Sequence, residues 1–352
     1  MLKKTIFLIL TLYFDSVYAI KLNELNYIGI NKFSKQFNIP PNTNIDSLSG
    51  GMSSSNVYKI NLSKKSFVIR TLDLNMPIQN RLSELNMHKA LSKKGLTPNI
   101  IFVDNEKDPY IIVMDYINGR TFNPKTDLTN KNILNQIINS LKIIHNLSNN
   151  TIHLYNKSMM GFIKDYIEDI KIKNIPIPTN LFKWYHQLSK MYEKYKTPKT
   201  IIHGDLSPRN ILISNDNIVY FIDFQEARED SIFAEFGYFF YESGIDDTKT
   251  IKSILEQYFN RKISNFEIQA TLFYMKASAF LSGIFRLSWI DKKYKSKNLD
   301  KILKNLKERG IRYFKKGDYD KIELDQISLE ERTKYVLSFF KDFENMKVEC
   351  NK

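Results

Sequence analysis

Residues 201–214 read IIHGDLSPRNILIS, a polar cluster between two apolar runs. Apolar runs of this kind predict buried strands, so the polar residues between them belong to a loop held on a rigid scaffold. Asn210 stands five residues after Asp205, and Asp223 follows thirteen residues after Asn210 in the segment VYFIDF. Because the intervening segment reads as a hairpin that turns at 215–217, we expect Asp223 to return beside Asn210.

These side-chain types suit the transfer of a phosphoryl group from ATP. Mg²⁺ takes one or two protein carboxylates and completes its shell with water and phosphate oxygens. Asn210 and Asp223 are therefore the candidate magnesium ligands. Asp205 lies on the same loop and is not needed as a ligand, so it is free to accept the proton of an attacking hydroxyl.

An upstream glycine- and serine-rich turn is the candidate phosphate-binding loop, because its backbone can approach phosphates closely. Its residues are Gly50, Gly51, Ser53, Ser54, Ser55 and Asn56. Arg70 on the following strand would reach the phosphates, and Glu84 on the next helix would hold Arg70 in place. A hairpin and a surface ion pair would explain these features singly, but the elements occur together in the order that phosphoryl transfer requires.

The surrounding elements predict an α+β chain with two lobes. Period-two alternation predicts strands, and apolar spacing of three and four predicts helices. The predicted strands lie in NVYKINL, FVIRTL, NIIFVD and YIIVMDYI, and the predicted helices near 78–94, 133–144, 158–195, 231–243, 250–290 and 297–316. Residues 20–46 give little indication of structure. We therefore predict an N-lobe with an antiparallel sheet over 20–117 and a mainly helical C-lobe over 118–352.

The segments HGDLSPRN and IDF resemble the catalytic and metal-binding motifs of the aminoglycoside phosphotransferase and choline kinase superfamily, small-molecule relatives of protein kinases. GGMSSSNVYKI followed by FVIRTL is similar to the choline and ethanolamine kinase branch, which has an arginine where protein kinases have lysine. The resemblance covers residues 48–316.

This resemblance implies a bilobal protein-kinase-like fold. It implies that Asp205 is the catalytic base, that Asn210 and Asp223 bind magnesium, and that Arg70 and Glu84 position phosphate. It also implies that the hinge VMDYI, which includes Met114 and Tyr116, meets adenine through its backbone.

Several positions depart from the family pattern. Choline recognition uses aromatic faces around a quaternary ammonium, and choline kinases carry a tryptophan-rich helix late in the C-lobe. The matching positions here hold Ser282 and Phe285, which leaves Phe280 and Trp289 as other candidate aromatics. Glu235 stands where the family has an aspartate after the IDF segment.

The leading hypothesis is an ATP- and magnesium-dependent phosphotransferase for a small alcohol, namely a cationic amino alcohol like choline or ethanolamine, or thiamine. Glu226, Glu242, Asp246 and Asp247 would attract the cation. An aminoglycoside-type antibiotic phosphotransferase is the alternative enzyme, and a non-catalytic or exported kinase-like effector is the alternative from another class. A protein kinase is disfavoured because IDF replaces DFG.

Charge, hydropathy and the first residues indicate which partners and which location to expect. The chain has 352 residues and a formal net charge of +14, but its lysines are scattered, so we expect no nucleic-acid partner. No segment predicts an integral membrane span. Residues 1–19 resemble a signal peptide, with lysines, an apolar run, and then Val17 and Ala19 in small-residue spacing. Because ATP and Mg²⁺ are cytoplasmic resources, we predict a cytoplasmic protein, with export as the alternative.

Overall fold

The computed structural model divides the chain into two compact units, Met1–Gly119 and Arg120–Lys352. The residues that it describes are 19–25, 27–48, 56–63, 65–73, 76–148, 152, 154, 157–173, 178–294, 301–304 and 328–348. The first unit contains an antiparallel sheet and the second is mainly helical. The predicted α+β class is therefore confirmed.

The described part of the first unit contains a sheet of six strands. Their order is β1-β2-β3-β4-β6-β5, and every neighbouring pair is antiparallel. Its strands are β1 (Ala19–Lys21), β2 (Asn44–Ser47), β3 (Asn56–Asn61), β4 (Ser66–Thr71), β5 (Ile100–Val103) and β6 (Ile111–Asp115). The predicted hairpin is β3 and β4, in which Val57 lies opposite Arg70. Two helices, α1 (Ile28–Gln36) and α2 (Ile78–Ser92), accompany the sheet.

Both faces of this sheet are covered, because alternate residues of β6 enter different apolar clusters. Ile111 and Val113 pack in a cluster that contains Phe33 of α1. Ile112 and Met114 pack in the other, with Leu85 of α2. The two faces explain why β6 reads as a continuous apolar run rather than as an alternating one.

The second unit combines short strands with a larger set of helices. Its strands are β7 (Gly119–Thr121), β8 (Lys199–Ile202), β9 (Ile211–Ser214), β10 (Val219–Phe221) and β11 (Arg228–Ser231). Its helices are α3 (Pro124–Asp127), α4 (Lys131–His145), α5 (Met159–Lys173), α6 (Leu181–Tyr195), α7 (Ile232–Glu242), α8 (Thr248–Phe259), α9 (Asn265–Tyr294) and α10 (Leu329–Asn345). β10, β9 and β7 form one small sheet, and β11 pairs with β8 in another.

Helix α9 forms the centre of this unit and packs against α5, α6, α7 and α10. Gly237 allows α7 to approach it closely, since a Cβ at this position would lie 2.6 Å from Tyr274 Cβ and 2.8 Å from the Met275 backbone nitrogen. Among the residues that the structure describes, no helix is both long and apolar enough to cross a membrane.

Candidate active site

The loop between β8 and β9, residues 203–210, carries the candidate catalytic residues and is called the catalytic loop below. It brings Asp205 and Asn210 into contact. A short 3-10 turn over Pro208–Asn210 folds the end of the loop back on its beginning. The Asn210 side-chain amide then donates to the Asp205 carbonyl oxygen at 2.7 Å and to Asp205 Oδ2 at 2.9 Å. One side chain therefore fixes both the backbone and the carboxylate of Asp205.

The second Asp205 oxygen accepts a hydrogen bond from α7. The Tyr238 hydroxyl lies 2.5 Å from Asp205 Oδ1. Burial raises the pKa of the Asp205 carboxyl, the Tyr238 hydrogen bond opposes that rise, and the negative charge of Asp223 adds to it. The resulting pKa lies above its usual range, which suits a proton acceptor because a more basic carboxylate takes a proton more readily.

Glu235 holds the backbone of the same loop. Its carboxylate accepts from the His203 N–H at 2.5 Å and from the Gly204 N–H at 3.2 Å, and its side chain is fully buried. Burial alone would raise the pKa of Glu235, but its interactions with His145 and His203 outweigh burial and hold that pKa below its usual range. Glu235 is therefore a charged anchor beneath the loop, at the position where the sequence differs from the family.

The buried Arg228 side chain also binds the backbone of this loop. The Arg228 guanidinium donates to the carbonyl oxygens of Gly204 and Glu226, each at 3.1 Å. Asp230, two residues further along β11, accepts from Arg228 Nε at 3.3 Å and from the Met159 backbone N–H at 2.6 Å. β11 is thereby tied both to the loop and to the start of α5.

His203 links the catalytic loop to the segment that carries Asp223. Its Nδ1 accepts from the Asp205 N–H at 3.3 Å, so its Nε2 donates to the Ile222 carbonyl oxygen at 2.9 Å. The hairpin of β9 and β10 returns the chain as the sequence predicted, since the Ile222 N–H donates to the Asn210 carbonyl oxygen at 3.0 Å. Asp223, the next residue, has a left-handed backbone with φ of 66°.

Asn210 and Asp223 provide a donor set that fits Mg²⁺. The Asn210 amide nitrogen is committed to Asp205, so Oδ1 is the atom of that amide which is left to bind a cation. Asp223 supplies one carboxylate. Mg²⁺ needs few protein oxygens, whereas the described residues contain no group of three or more His, Cys, Asp or Glu side chains placed to hold a metal.

Arg70 and Glu84 form a buried ion pair in the first unit. Arg70 Nε lies 2.9 Å from Glu84 Oε1, and their side chains are only 11% and 4% exposed. His88, one turn further along α2, is also buried, and burial lowers its pKa to about 4. The low exposure excludes a surface ion pair, and removing either partner would leave an uncompensated buried charge.

Most of the candidate phosphate-binding loop lies outside the described residues. This applies to Gly50, Gly51, Ser53, Ser54 and Ser55. Asn56 is the first residue of β3, and its N–H donates to Thr71 Oγ1 at 3.2 Å.

The candidate hinge residues are engaged within the first unit. Met114 pairs with Val68 across the sheet. The Tyr116 N–H donates to the Ser66 carbonyl oxygen at 3.2 Å, and Lys59 Nζ lies 4.0 Å from the centroid of the Tyr116 ring. The Tyr116 N–H is thus committed to β4, and adenine would need other backbone groups of residues 113–117.

One candidate aromatic for cation binding proves to be a core residue. Phe280 is fully buried, with ring centroids 5.8 Å from Phe340 and 5.4 Å from Phe343. Phe285 packs edge-on against Tyr166 at 5.8 Å. The Trp289 side chain lies outside the described residues. The interpretation of Phe280 as a ligand-binding aromatic is therefore wrong.

Sequence reasoning missed Tyr238 and Arg228 as neighbours of the catalytic loop. The aromatic spacing of residues 233–241 is typical of a buried helix face, and Phe233, Phe236, Phe239 and Phe240 are buried. Tyr238 is the exception, because it turns its hydroxyl to Asp205. The hydroxyls of Tyr238 and Tyr241 among phenylalanines were the available signal, since a buried tyrosine needs a hydrogen-bond partner.

The model of the APH family, described as a phosphotransferase enzyme family, matches residues 44–267. Comparison with curated proteins gives no match. Among solved structures, a choline/ethanolamine kinase family protein from Mesorhizobium loti is similar, with a TM-score of 0.60 and 13% identity over 88% of this chain and 99% of that chain.

Two other solved structures extend this similarity. Choline kinase LicA from Streptococcus pneumoniae gives a TM-score of 0.60 and 17% identity over 79% of this chain and 96% of that chain. The GDP complex of an aminoglycoside 2'-phosphotransferase gives a TM-score of 0.57 and 16% identity over 79% of this chain and 96% of that chain. At these identities the structures establish the protein-kinase-like fold that the sequence predicted. Because the family model matches well over half of the chain, the protein belongs to the APH phosphotransferase enzyme family.

Proposed function

We propose that this phosphotransferase moves the γ-phosphoryl group of ATP, with Mg²⁺, to the hydroxyl group of a small amino alcohol. The observation that carries the proposal is the Asp205 carboxylate, which is held at both oxygens on a loop shared with Asn210. A carboxylate fixed in this way is prepared to accept a proton as an acceptor oxygen attacks phosphorus.

The other residues have supporting roles in this proposal. Asn210 and Asp223 would hold Mg²⁺, which neutralises charge on the phosphates when bound. Arg70 would bind phosphate oxygens, with Glu84 fixing the direction of its guanidinium. The new hydroxyl–phosphorus bond forms as the bond to the ADP oxygen breaks, and Asp205 takes the hydroxyl proton.

A second carboxylate on α7, that of Glu242, supports the proposed acceptor class. Glu242 lies four residues after Tyr238, which is about 6 Å along the helix axis. Because the Tyr238 hydroxyl contacts Asp205, a short amino alcohol with its hydroxyl at Asp205 would direct its ammonium toward Glu242. Ser282 donates to Glu242 Oε1 at 3.3 Å, so this carboxylate has a polar neighbour.

A primary ammonium fits this arrangement better than a quaternary one. A quaternary ammonium has no N–H donors and relies on aromatic faces, and Phe280 is occupied in the core. A primary ammonium donates hydrogen bonds to a carboxylate directly. We therefore propose that ethanolamine-like acceptors are preferred over choline; aminoglycosides, which also carry primary ammonium groups, are the second candidate class on the same observation.

The test is turnover of a panel of alcohols by the purified full chain with ATP and Mg²⁺. Ethanolamine, choline, thiamine and kanamycin are compared by ADP release and by phosphorus NMR of the product. We expect the highest kcat/KM for ethanolamine. Failure of every alcohol, with nucleotide bound, would contradict the proposed reaction.

Asp205→Asn is the matched control in this assay, because it keeps the shape of the side chain and removes the base. It is expected to lower turnover roughly 10²- to 10⁴-fold while nucleotide binding, followed by calorimetry, stays close to wild type. Asp223→Ala is expected to remove the magnesium dependence of that binding. Turnover of Asp205→Asn within about threefold of wild type would exclude Asp205 as the base.

A further inference from the structure

The hydroxyl of Tyr238 contacts the candidate catalytic base, and the mechanism above assigns it no role. The Tyr238 hydroxyl donates to Asp205 Oδ1 at 2.5 Å, while Asn210 donates to Asp205 Oδ2 at 2.9 Å. Short hydrogen bonds to a charged acceptor are among the stronger ones in proteins. The Asp205 carboxylate is therefore held by two donors that arrive from different elements.

Helix α7 forms hydrogen bonds with the catalytic loop from two residues that lie one turn apart. Glu235 accepts from the backbone N–H groups of His203 and Gly204, and Tyr238, three residues later, donates to the side chain of Asp205. Residues three apart lie on one helix face. The same face of α7 thus fixes the loop backbone and the direction of its carboxylate.

We propose that Tyr238 is a positioning residue, which holds the Asp205 carboxylate in the orientation that accepts the proton of the acceptor hydroxyl. This inference rests on the proposed phosphoryl transfer and adds a residue to it.

The geometry explains how one hydroxyl can do this. A carboxylate has about four acceptor sites on its two oxygens, and a donor on each oxygen fixes the rotation of the carboxylate plane. The remaining lone pairs then point in set directions, one of which is available to the acceptor hydroxyl. Burial, with the nearby charges of Asp205 and Glu242, raises the pKa of Tyr238 well above its ordinary value, so the phenol remains a donor.

The first experiment removes this hydroxyl and compares it with a matched hydroxyl on the same helix. Tyr241 is buried, and its hydroxyl donates at 3.1 Å to Asp342 Oδ2 on α10 instead of to the catalytic loop. Tyr238→Phe is expected to lower kcat about 10- to 100-fold, the loss typical of a hydrogen bond to a charged group. The KM values for ATP and for the best acceptor of the panel should stay within about twofold.

Tyr241→Phe should leave kcat unchanged, while both variants shift the melting temperature to a similar small extent. A kcat loss of equal size in both variants would mean that Tyr238 acts only through the packing of α7, and would overturn the proposal. A fall in acceptor KM with kcat retained would also overturn it, because the acceptor would then displace Tyr238 from Asp205.

The second experiment is a double-mutant cycle with Asp205→Asn, measured as single-turnover rates. If Tyr238 acts by orienting the carboxylate, Tyr238→Phe should lower the rate less than about twofold further once Asp205 is replaced. Rate losses that simply multiply would show that Tyr238 acts independently of Asp205. Turnover of the wild type on the alcohol panel separates the two hypotheses. An inactive wild type contradicts the proposed phosphoryl transfer. An active wild type together with a Tyr238→Phe variant of unchanged kcat contradicts only the positioning role.

Discussion

Gly204 occupies a place in the catalytic loop that no side chain can fill. Its φ of 83° is in the left-handed region, and a Cβ would overlap the Glu226 carbonyl oxygen and the Arg228 guanidinium. Glycine is required here for both reasons, because other residues strain at this φ and because the backbone must come close to its neighbours.

Gly204→Ala is therefore expected to lower the free energy of unfolding by about 2–4 kcal/mol and to reduce kcat, since it pushes the loop away from Arg228. Gly244→Ala is the control, because Gly244 has a φ of 69° with no heavy atom within 4 Å of the added Cβ. It should cost only about 1 kcal/mol and leave kcat intact. Denaturant unfolding and steady-state turnover measure both, and equal effects at the two glycines would refute the steric argument.

The sequence predicted the pairing of Asp205, Asn210 and Asp223 because their spacing depends on local structure. A single loop and a single hairpin bring them together, and both have recognisable turn residues. Tyr238 and Arg228 could not be assigned in the same way. Their contacts with the loop depend on where α7 and β11 pack, and this is a long-range property that periodicity along one segment does not encode.

At the scale of whole elements, the crossing of α7 and α9 controls the loop. Gly237 lies where α7 meets the Tyr274 side chain and the Met275 backbone. Because α7 carries Glu235 and Tyr238, a change in this crossing moves both contacts with the catalytic loop.

Gly237→Ala is expected to cost about 1–3 kcal/mol of stability and to lower kcat, because a backbone neighbour cannot move aside. Gly161→Ala is the matched change in another helix, α5, where the added Cβ meets only the Lys157 and Ser158 side chains, and the Lys157 chain is flexible. It should be neutral or stabilising by about 1 kcal/mol, since alanine favours helix more than glycine does. Thermal unfolding and turnover report the difference; a silent Gly237→Ala would show that α7 can shift freely.

Helix α2 contains a buried histidine, His88, that makes the stability of the fold depend on pH. Burial lowers its pKa from 6.5 to about 4, and its Nε2 donates to the Pro98 carbonyl oxygen at 2.8 Å. Between these pH values the unfolded chain binds a proton at this position and the folded chain does not. Stability is therefore lost as the pH falls from 6.5 to about 4, by a total of about 3 kcal/mol, and His88 adds no further loss below that range.

His88→Gln keeps an N–H donor for Pro98 and removes the titration. The free energy of unfolding of wild type should fall more steeply than that of His88→Gln between pH 6.5 and 4, with the two curves parallel above pH 7. The four other histidines are the same in both proteins, so the difference between the two curves isolates His88. If the two curves of unfolding free energy against pH stay parallel from pH 7 to pH 4, His88 takes up a proton in the folded protein over the same range as in the unfolded chain.

Element prediction succeeded where the pattern was strong and failed where elements are short. The β3–β4 hairpin and α2 were predicted because six or more residues show one period. β1, β2 and α1 fall almost entirely within residues 20–46, which indicated little, since β2 has a single buried residue, Ile45, and β1 has three residues. The predicted helix at 250–290 is divided, because Asn260 takes a left-handed conformation that ends α8.

At the scale of the whole molecule, the formal charge of +14 favours anions over cations. The proposed reaction uses one of each, since magnesium-bound ATP is an anion and an amino alcohol is a cation. Salt screens these interactions, with a Debye length that falls from about 14 Å at 0.05 M to about 5 Å at 0.4 M.

Raising KCl over this range is expected to increase the KM for ATP about two- to fivefold and to leave or lower the KM for the amino alcohol, with kcat unchanged. The two substrates serve as controls for each other, because a general effect of salt on the protein would move both KM values in one direction. A KM for ATP that is independent of salt would show that the scattered lysines do not attract the nucleotide.

The connection from Asp223 to β11 is short. Four residues, 224–227, join them; the Ala227 N–H donates to the Phe224 carbonyl oxygen at 3.0 Å, and the Phe224 ring lies 4.8 Å from the His203 ring. Protein kinases are commonly switched by a longer segment at this point, which phosphorylation orders. Residues 224–227 are too few for such a segment, so Asp223 is joined within four residues to β11 and, through the hydrogen bond from Arg228 to the Gly204 carbonyl oxygen, to the loop that carries Asp205.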